Sequence, residues 1–156
     1  MKFRLVCVGR LSEDWLKQGA AEYLKRLQRH YAIEIVELKE EQGQLKDVAG
    51  LLRREGARIL ERIPADALAI VLDEKGKQIG SEGLAERLQQ EMLHGGRDWC
   101  LVIGGPYGLD PAVRSRADLL LSLSKMTLTH QMARLLLLEQ LYRSGTIIRN
   151  EPYHNR

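Results

Sequence analysis

Three glycines that follow a short apolar run in the middle of the chain are the first candidate ligand-binding residues. The run Trp99–Ile103 stops at Gly104-Gly105-Pro106, and Gly108 follows two residues later. An apolar run of this length, bounded by Gly and Pro, predicts a buried strand that leads into a sharply turned loop. Glycine lets a backbone approach a ligand closely, and proline stiffens the loop. A plain strand-to-helix turn explains this stretch alone at least equally well.

A second candidate loop precedes the most apolar helical segment of the chain. Ser124–Leu128 mixes small, polar and apolar side chains and is followed closely by the segment Met132–Leu141. Such a loop can offer backbone donors and acceptors to an adenine ring, while Met126 and Leu128 cover the face of the ring. The alternative is a connecting loop with an ordinary N-cap.

Several common chemistries lack their sequence signatures. There is no Gly-x-x-x-x-Gly-Lys-Ser/Thr phosphate loop, and the first apolar run is followed by a single glycine, Gly9, which disfavours a dinucleotide fold. No Gly-x-Ser-x-Gly elbow supplies a hydrolase nucleophile. Cys7 and Cys100 both lie in apolar runs, which favours buried thiols over a disulfide, and no Cys/His spacing resembles a zinc site. We therefore expect no metal.

Alternating strand and helix patterns must position the two loops. Apolar or alternating runs predict strands at residues 2–8, 33–38, 67–72, 99–103 and 117–123. Helical spacing predicts helices at residues 15–27 after a cap at Ser12, at 45–63, from a cap at Ser81 to Gly95, at a short segment beginning with Asp110-Pro111, and from about His130 to Ser144.

This alternation predicts a single α/β domain, with a mainly parallel sheet and helices on both of its faces. In such sheets ligands bind beyond the carboxyl ends of the strands. Three loops lie at such ends, namely Asp73–Lys77, Gly104–Gly108 and Ser124–Leu128. The ligand site is therefore expected in the C-terminal half of the chain.

Composition indicates where the protein is located and what kind of partner it could bind. No apolar run approaches the ~20 residues that cross a bilayer, and the apolar start is too short for a signal peptide, so we expect a cytoplasmic protein without a membrane span. Lys and Arg outnumber Asp and Glu 7 to 3 in residues 1–30 and 7 to 4 in residues 101–156, whereas residues 31–100 carry 10 against 14. Basic ends are compatible with a polyanionic partner, although charged residues usually just solvate a surface.

Several motifs, taken together and in this order, resemble one family. They are Ile103-Gly104-Gly105-Pro106, Leu121-Ser122-Leu123-Ser124-Lys125-Met126-Thr127-Leu128 followed by His130, Leu141-Tyr142-Arg143, and the ending Pro152-Tyr153-His154. The chain resembles the large-subunit rRNA pseudouridine N3-methyltransferases of the SPOUT class (RlmH type) over essentially its whole length. The motifs are specific in combination and unspecific singly.

The resemblance implies a trefoil-knotted SPOUT (α/β knot) fold, S-adenosylmethionine (SAM) as the cofactor, and a homodimer. It implies methylation of N3 of a pseudouridine in the helix 69 loop of 23S rRNA, on the assembled 70S ribosome and without a metal. The cofactor positions that carry over from the family are Leu72, Gly104, Leu123, Ser124, Lys125, Met126, Thr127 and Leu128. These residues belong to, or adjoin, the three loops that lie at the carboxyl ends of predicted strands.

The resemblance also points to the end of the chain for catalysis. It makes His154 the candidate base that accepts the N3 proton, with Tyr153 and Arg143 positioning the RNA. Residues 145–156 are expected to form a tail that contributes to the active site, within reach of a neighbouring subunit. Without the resemblance, His154 would be interpreted as an exposed tail residue.

Two other functions stay open at this point. One is a non-catalytic, ribosome-associated binding protein of the same fold, which the intact ending Pro152-Tyr153-His154 disfavours. The other is a nucleotide-binding oxidoreductase, which the missing glycine fingerprint disfavours. Among the remaining polar residues, Glu139 is expected to pair with a cation or lie at an interface, His130 to cap or orient the last helix, and Tyr107 receives no role.

Overall fold

Five parallel strands form a sheet in the computed structural model, which describes residues 1–42 and 45–155 apart from the side chain of Leu45. The strands are β1 (Lys2–Val8), β2 (Ala32–Leu38), β3 (Leu68–Gln78), β4 (Trp99–Ile103) and β5 (Leu119–Ser122). Their order is β2-β1-β4-β3-β5, and every described pair is parallel. The predicted parallel sheet is confirmed, whereas the trefoil knot stays a prediction.

Helices connect the strands. They are α1 (Asp14–Leu27), α2 (Val48–Leu60), α3 (Ser81–Gln90), α4 (Pro111–Arg116) and α5 (His130–Ile148), with a 3-10 turn at Leu45–Asp47 and a π-helical turn at Glu91–Gly95. Within the described residues, none of these helices has the length and apolarity needed to cross a bilayer.

Alternating side chains of the strands build a core on each face of the sheet. On β1, Phe3, Leu5 and Cys7 pack in a cluster with residues of α1, α3 and α5, whereas Val6 and Val8 pack with residues of α2 and α4. Because successive side chains of a strand point to opposite faces, an apolar run without polar interruptions needs cover on both sides. The prediction of helices on both faces is confirmed.

The two cysteines are free and buried in these cores, as their apolar surroundings in the sequence predict. Burial raises the pKa of the Cys7 thiol to about 12 and that of Cys100 to about 11. Both side chains therefore stay protonated and act as small apolar groups. In the part of the chain that the structure describes, no cluster of three or more His, Cys, Asp or Glu side chains is arranged to hold a metal ion.

Strand β3 is longer than its sequence pattern predicts. The charged segment Asp73–Lys77, expected as a loop, belongs to the strand, which continues to Gln78. After a register shift between Leu72 and Lys77, Lys77 and Gln78 pair with β5. A Cβ at Gly76 would lie 2.7 Å from the backbone of Leu120, so the glycine permits this close pairing. Pairing with a strand that is distant in sequence causes this extension, and the polar side chains of the segment give no sign of it.

Two predicted helix caps are wrong. Glu13, without a side-chain hydrogen bond, is the N-cap of α1, and Ser12 instead donates its backbone N–H to the side chain of Gln131 at 2.9 Å. Gly80 caps α3, and the hydroxyl of Ser81 donates to the side chain of Gln140 at 2.6 Å. Both serines therefore bind α5 rather than the helix that follows them.

Helix α5 also runs further than expected. It continues to Ile148, so the first four residues of the predicted tail form its last turn. Gly145 stands where a helix-ending glycine would be expected, but a Cβ there would lie 3.1 Å from the ring of Tyr31. Close packing therefore explains this glycine, and the tail begins at Arg149. Residue 156 of the predicted tail lies outside the described residues.

Candidate active site

A cavity of about 990 Å³ opens beside β3 and beyond the carboxyl ends of β4 and β5. Its wall comprises residues 12, 13, 15, 16, 72–74, 103–109, 114, 121–124 and 126–133. The three loops selected from the sequence therefore each contribute to one cavity, although only the first two residues of Asp73–Lys77 reach it. Its volume is in the range of small-molecule sites.

The glycine loop forms a tight turn at this wall. Gly108 donates its N–H to the carbonyl oxygen of Gly105 at 3.1 Å, and its φ of 96° is one that residues with a side chain rarely adopt. A Cβ at Gly104 would lie 2.8 Å from the side chain of Leu109 and 2.9 Å from the backbone oxygen of Gly108. The turn is therefore closed on itself, and position 104 admits only glycine without rearrangement.

Serine and threonine side chains shape the loop before α5. The Ser122 hydroxyl donates to the carbonyl oxygen of Ser124 at 2.9 Å, and the Ser124 hydroxyl accepts from the N–H of Met126 at 2.9 Å. Thr129 caps α5 by accepting from the N–H of Met132 at 3.1 Å, so His130 does not cap the helix, and its alternative role of orienting the helix stays a prediction. These bonds give the loop a defined shape at the cavity.

Seven of the eight predicted cofactor residues line the cavity. They are Leu72, Gly104, Leu123, Ser124, Met126, Thr127 and Leu128. Lys125 is exposed and does not contribute to the wall.

An ion pair that the sequence did not indicate lies at the cavity wall. Asp73 on β3 accepts from the guanidinium of Arg114 on α4, and its side chain is 5% exposed. Burial raises the pKa of the Asp73 carboxyl, but hydrogen bonds from the Lys75 N–H and from Arg114 outweigh burial and hold the pKa below its ordinary value. Asp73 therefore stays ionised at the wall.

His130 is the first residue of α5 and also lines the cavity. Its Nε2 atom is buried and has no hydrogen-bond partner among the described residues, and the nearest carboxylate oxygen, on Glu40, is 3.7 Å away. A buried ring nitrogen without a partner is costly, so it is a point at which a bound ligand can be stabilised.

Arg134 anchors the beginning of α5 to the ends of two strands. It donates to the carbonyl oxygen of Gly9 at 2.9 Å and to the carboxylate of Glu37 at 2.6 Å, and it is buried. The loop between β5 and α5 is therefore held at both of its ends.

The three predicted catalytic residues, Arg143, Tyr153 and His154, lie together in a second group of contacts. With Tyr23 and Glu139, which are hydrogen-bonded to members of this group, they make up the five residues here called the tail cluster. Glu139 is its centre, because its Oε1 accepts from Arg143 Nε at 3.0 Å, from Arg143 Nη2 at 2.6 Å and from the Tyr153 hydroxyl at 3.0 Å. The prediction that Glu139 pairs with a cation is confirmed.

Hydrogen bonds determine where the protons of the tail cluster lie. Burial and the bonds to Tyr23 and Glu139 raise the pKa of the Tyr153 hydroxyl, so Tyr153 stays protonated. The guanidinium of Arg143 lies 3.2 Å from His154 Nδ1. Because a guanidinium can only donate, Nδ1 accepts, and a neutral His154 ring carries its proton on Nε2.

The tail cluster and the cavity are separate within one chain. None of the five cluster residues lines the cavity. Helix α5 connects the two places, since Ala133 lines the cavity and Arg143 lies ten residues further along the helix. At 1.5 Å per residue, this separation is roughly 15 Å.

A family profile described as "Predicted SPOUT methyltransferase" matches residues 1–154. This chain belongs to the SPOUT methyltransferase family. Among its relatives is the ribosomal RNA large subunit methyltransferase H of Syntrophotalea carbinolica, which is 56% identical over the full length of both chains. The protein of the same name from Pelobacter propionicus is 46% identical over 99% of this chain and 100% of its own length.

A solved structure shares the fold of this family member. It is a probable methylase family protein from Haemophilus influenzae Rd KW20, with a TM-score of 0.52 and 15% identity over 95% of this chain and 66% of its own length. At that identity the likeness concerns the fold alone. The family resemblance stated from the motifs is confirmed.

Some residues of this SPOUT methyltransferase site carried no signal in the sequence. Tyr23 lies on α1, and its hydroxyl reaches the Tyr153 hydroxyl at 3.1 Å, across 130 positions of the chain. Trp15, also on α1, is 57% exposed and lines the cavity. Helical spacing predicts which face of a helix a residue occupies, but it does not predict which side chains pack opposite that face.

Proposed function

We propose that this chain methylates large-subunit ribosomal RNA and that its target atom is N3 of a pseudouridine in the helix 69 loop of 23S rRNA. The observation that carries the proposal is the 56% identity, over the full length of both chains, to a ribosomal RNA large subunit methyltransferase H. The target base, the assembled 70S ribosome and the cytoplasm come from the family resemblance of the sequence. The names of the relatives favour catalysis over a non-catalytic binding protein.

SAM is the methyl donor in this proposal, and the residues of the cavity fit it. Apolar side chains such as Leu72 and Leu128 suit an adenine ring, while the turn at Gly104 brings backbone close to a ligand. The ionised Asp73 complements a cationic group, and Nε2 of His130, which has no hydrogen bond within the described residues, offers one further polar contact. We assign Lys125 no contact with the cofactor, because its exposed side chain lies outside the wall.

SAM supplies a methyl group that its sulfonium activates, and the protein supplies position. The cavity residues Leu72, Gly104, Leu123, Ser124, Met126, Thr127 and Leu128 would hold the donor. Holding reacting atoms in line at about 3–3.5 Å accounts for a large part of the acceleration in such transfers. The tail cluster would hold the pseudouridine that accepts the methyl group.

The separation of these two groups supports a homodimer with shared sites. Within one chain, roughly 15 Å of helix separates Ala133 at the cavity from Arg143 in the tail cluster. The tail is not a free arm, because Tyr153 and His154 are bonded to Glu139 and Arg143 of their own chain. We therefore propose that each protomer presents its tail cluster as a preformed unit to the cavity of its partner.

His154 acts as a hydrogen-bond donor in this arrangement. Nε2 lies 3.7 Å from a carboxylate oxygen of Glu82. Because Arg143 occupies Nδ1, the Nε2–H of the neutral ring can donate to a carbonyl oxygen beside N3, where negative charge develops as the N3 proton passes to solvent water. The base role hypothesised from the sequence would place a proton on Nδ1, opposite the guanidinium. Two donors would then face each other, so we propose the donor role instead.

Calorimetry and a truncation test this function. Titration with SAM should give saturable binding, and titration with NAD should give none; the reverse pattern would establish the oxidoreductase alternative. Removal of residues 151–156 takes away Tyr153 and His154 without touching the cavity wall. The truncated chain should bind SAM as the full chain does and lose ribosome methylation, and full activity would refute the assignment of the tail.

A further inference from the structure

Large exposed apolar side chains converge on the mouth of the cavity. Among the described residues, five large hydrophobic side chains are strongly exposed: Trp15 (57%), Met92 (41%), Leu93 (66%), Tyr107 (51%) and Met126 (79%). Three of them, here called the rim, line the cavity, namely Trp15, Tyr107 and Met126. Single exposed apolar residues are ordinary, but three that meet at one cavity from separate segments indicate a binding surface.

Tyr107 is displayed on a rigid support. It lies in the turn that the Gly108 N–H closes onto the Gly105 carbonyl at 3.1 Å, beside Pro106, whose φ is fixed by its ring. Among the described residues its hydroxyl has no hydrogen-bond partner and its ring contacts no other aromatic ring or cation. An aromatic ring held this way loses little conformational entropy when it is covered.

The cofactor does not need all of the rim. Apolar side chains of half-buried residues, among them Leu72 and Leu128, already line the cavity, whereas Tyr107 and Met126 are more than half exposed. Side chains that stay this exposed face a larger partner, one that approaches from solvent. The proposed function supplies two such partners, the tail cluster of a second protomer and an RNA loop.

RNA chemistry matches a rim of this kind. N3 lies on the Watson–Crick edge of its base, so the base must leave its stack before the edge can enter a cavity. Single-stranded bases are recognised by stacking on aromatic side chains, while lysines contact the phosphates. Lys75 and Lys125 are exposed, adjoin cavity residues, and make no ion pair among the described residues. The acidic residues Glu13, Asp73 and Glu74 line the cavity itself, which disfavours phosphates inside it.

We propose that Tyr107, supported by Met126 and Trp15, is a stacking platform for nucleobases of the substrate RNA loop. The inference rests on the proposed function and adds a specificity-determining surface to it. The rim replaces the stacking that the target loop loses when the base enters the cavity. Lys75 and Lys125 contact the adjacent phosphates.

Substitutions at the rim test the proposal against a matched control. Tyr107→Ala should raise the KM for ribosomes by about 5- to 100-fold, the range for loss of one stacked base. SAM affinity by calorimetry and the dimeric state by light scattering should be unchanged, and Tyr107→Phe should restore the wild-type KM. Leu93→Ala removes an apolar side chain that is even more exposed than Tyr107 but lies away from the cavity, and it should change nothing. Met126→Ala, at the most exposed of these positions, should raise KM more weakly.

Direct RNA binding separates this proposal from the proposed function. The chain has two tryptophans, of which Trp99 is fully buried, so a change in emission on adding a helix 69 stem-loop RNA reports on Trp15. If the RNA quenches the Trp15 emission, and quenches it less in Tyr107→Ala, the platform is supported even if the wild type methylates no ribosome. The platform is refuted if Tyr107→Ala and Leu93→Ala bind RNA equally. A dimer that dissociates on Tyr107→Ala would also refute it, because a second copy would then cover the rim.

Discussion

Two inactive variants should complement each other if each site is shared between protomers. Gly104→Ala disables the cavity, because the new Cβ would lie 2.9 Å from the Gly108 backbone oxygen, which cannot move without opening the turn. His154→Ala disables the tail cluster and leaves the cavity wall intact. Each variant alone should be nearly inactive, since every site of either homodimer lacks one half.

The expected magnitude follows from the geometry of α5. Methyl transfer needs reacting atoms about 3–3.5 Å apart, and roughly 15 Å of helix separates the cavity from the tail cluster of the same chain. A chain therefore cannot serve its own cavity in the described conformation. A heterodimer of Gly104→Ala with His154→Ala keeps one intact composite site, so it should have about half of the wild-type activity per dimer.

The assay uses heterodimers purified through two different affinity tags, with SAM and ribosomes that lack the methyl group. A wild-type heterodimer with the same tags sets the reference. The matched control places both substitutions in one chain, paired with a wild-type chain: a shared site makes this dimer inactive, whereas a site within one chain leaves it half active. Activity in this control, together with none in the complementing pair, would refute the shared site.

Three further predictions concern single contacts. Glu139→Gln should lower kcat/KM about 10- to 100-fold in steady-state methylation assays without weakening SAM binding, because it removes charge-assisted bonds to Arg143; an unchanged kcat/KM would contradict this. Tyr23→Phe removes one neutral hydrogen bond to Tyr153, so kcat should fall about 2- to 10-fold, and a larger loss would mean that the hydroxyl does more than position Tyr153. The lowered pKa of Asp73 stabilises the fold above the ordinary pKa of the carboxyl, and this stability is lost as the pH falls through the folded value. In urea unfolding, Asp73→Asn should therefore destabilise the protein at pH 7 and much less near pH 3, and an equal loss at both pH values would count against the ionised side chain.

Local patterns were sufficient for most of the fold. One short stretch of sequence contains the alternation of Phe3, Leu5 and Cys7 with Val6 and Val8. This local pattern was enough to predict a strand that is covered on both faces. The placement of the three loops around one cavity followed from the parallel order of the strands. These inferences need only neighbours along the chain and a general rule about sheets.

Features made by distant contacts were missed. The charged end of β3 is a strand because it pairs with β5, which follows it by more than forty positions. Gly145 suggested the end of a helix, but packing against Tyr31 keeps it inside α5. The folded tail likewise depends on Glu139, which holds Tyr153 and Arg143 at once. The cofactor and the role of the tail came from the family resemblance, since no spacing rule encodes them.

Mapping the methyl group that this chain transfers tests whether its target is N3 of a pseudouridine. Ribosomes lacking the modification are incubated with the full chain and SAM, and the 23S rRNA fragments are analysed by mass spectrometry. We predict one added methyl group at N3 of one pseudouridine in the helix 69 loop with the wild type, and none with the chain truncated before Glu151. Methylation at another nucleotide, or equal methylation by the truncated chain, would contradict the account.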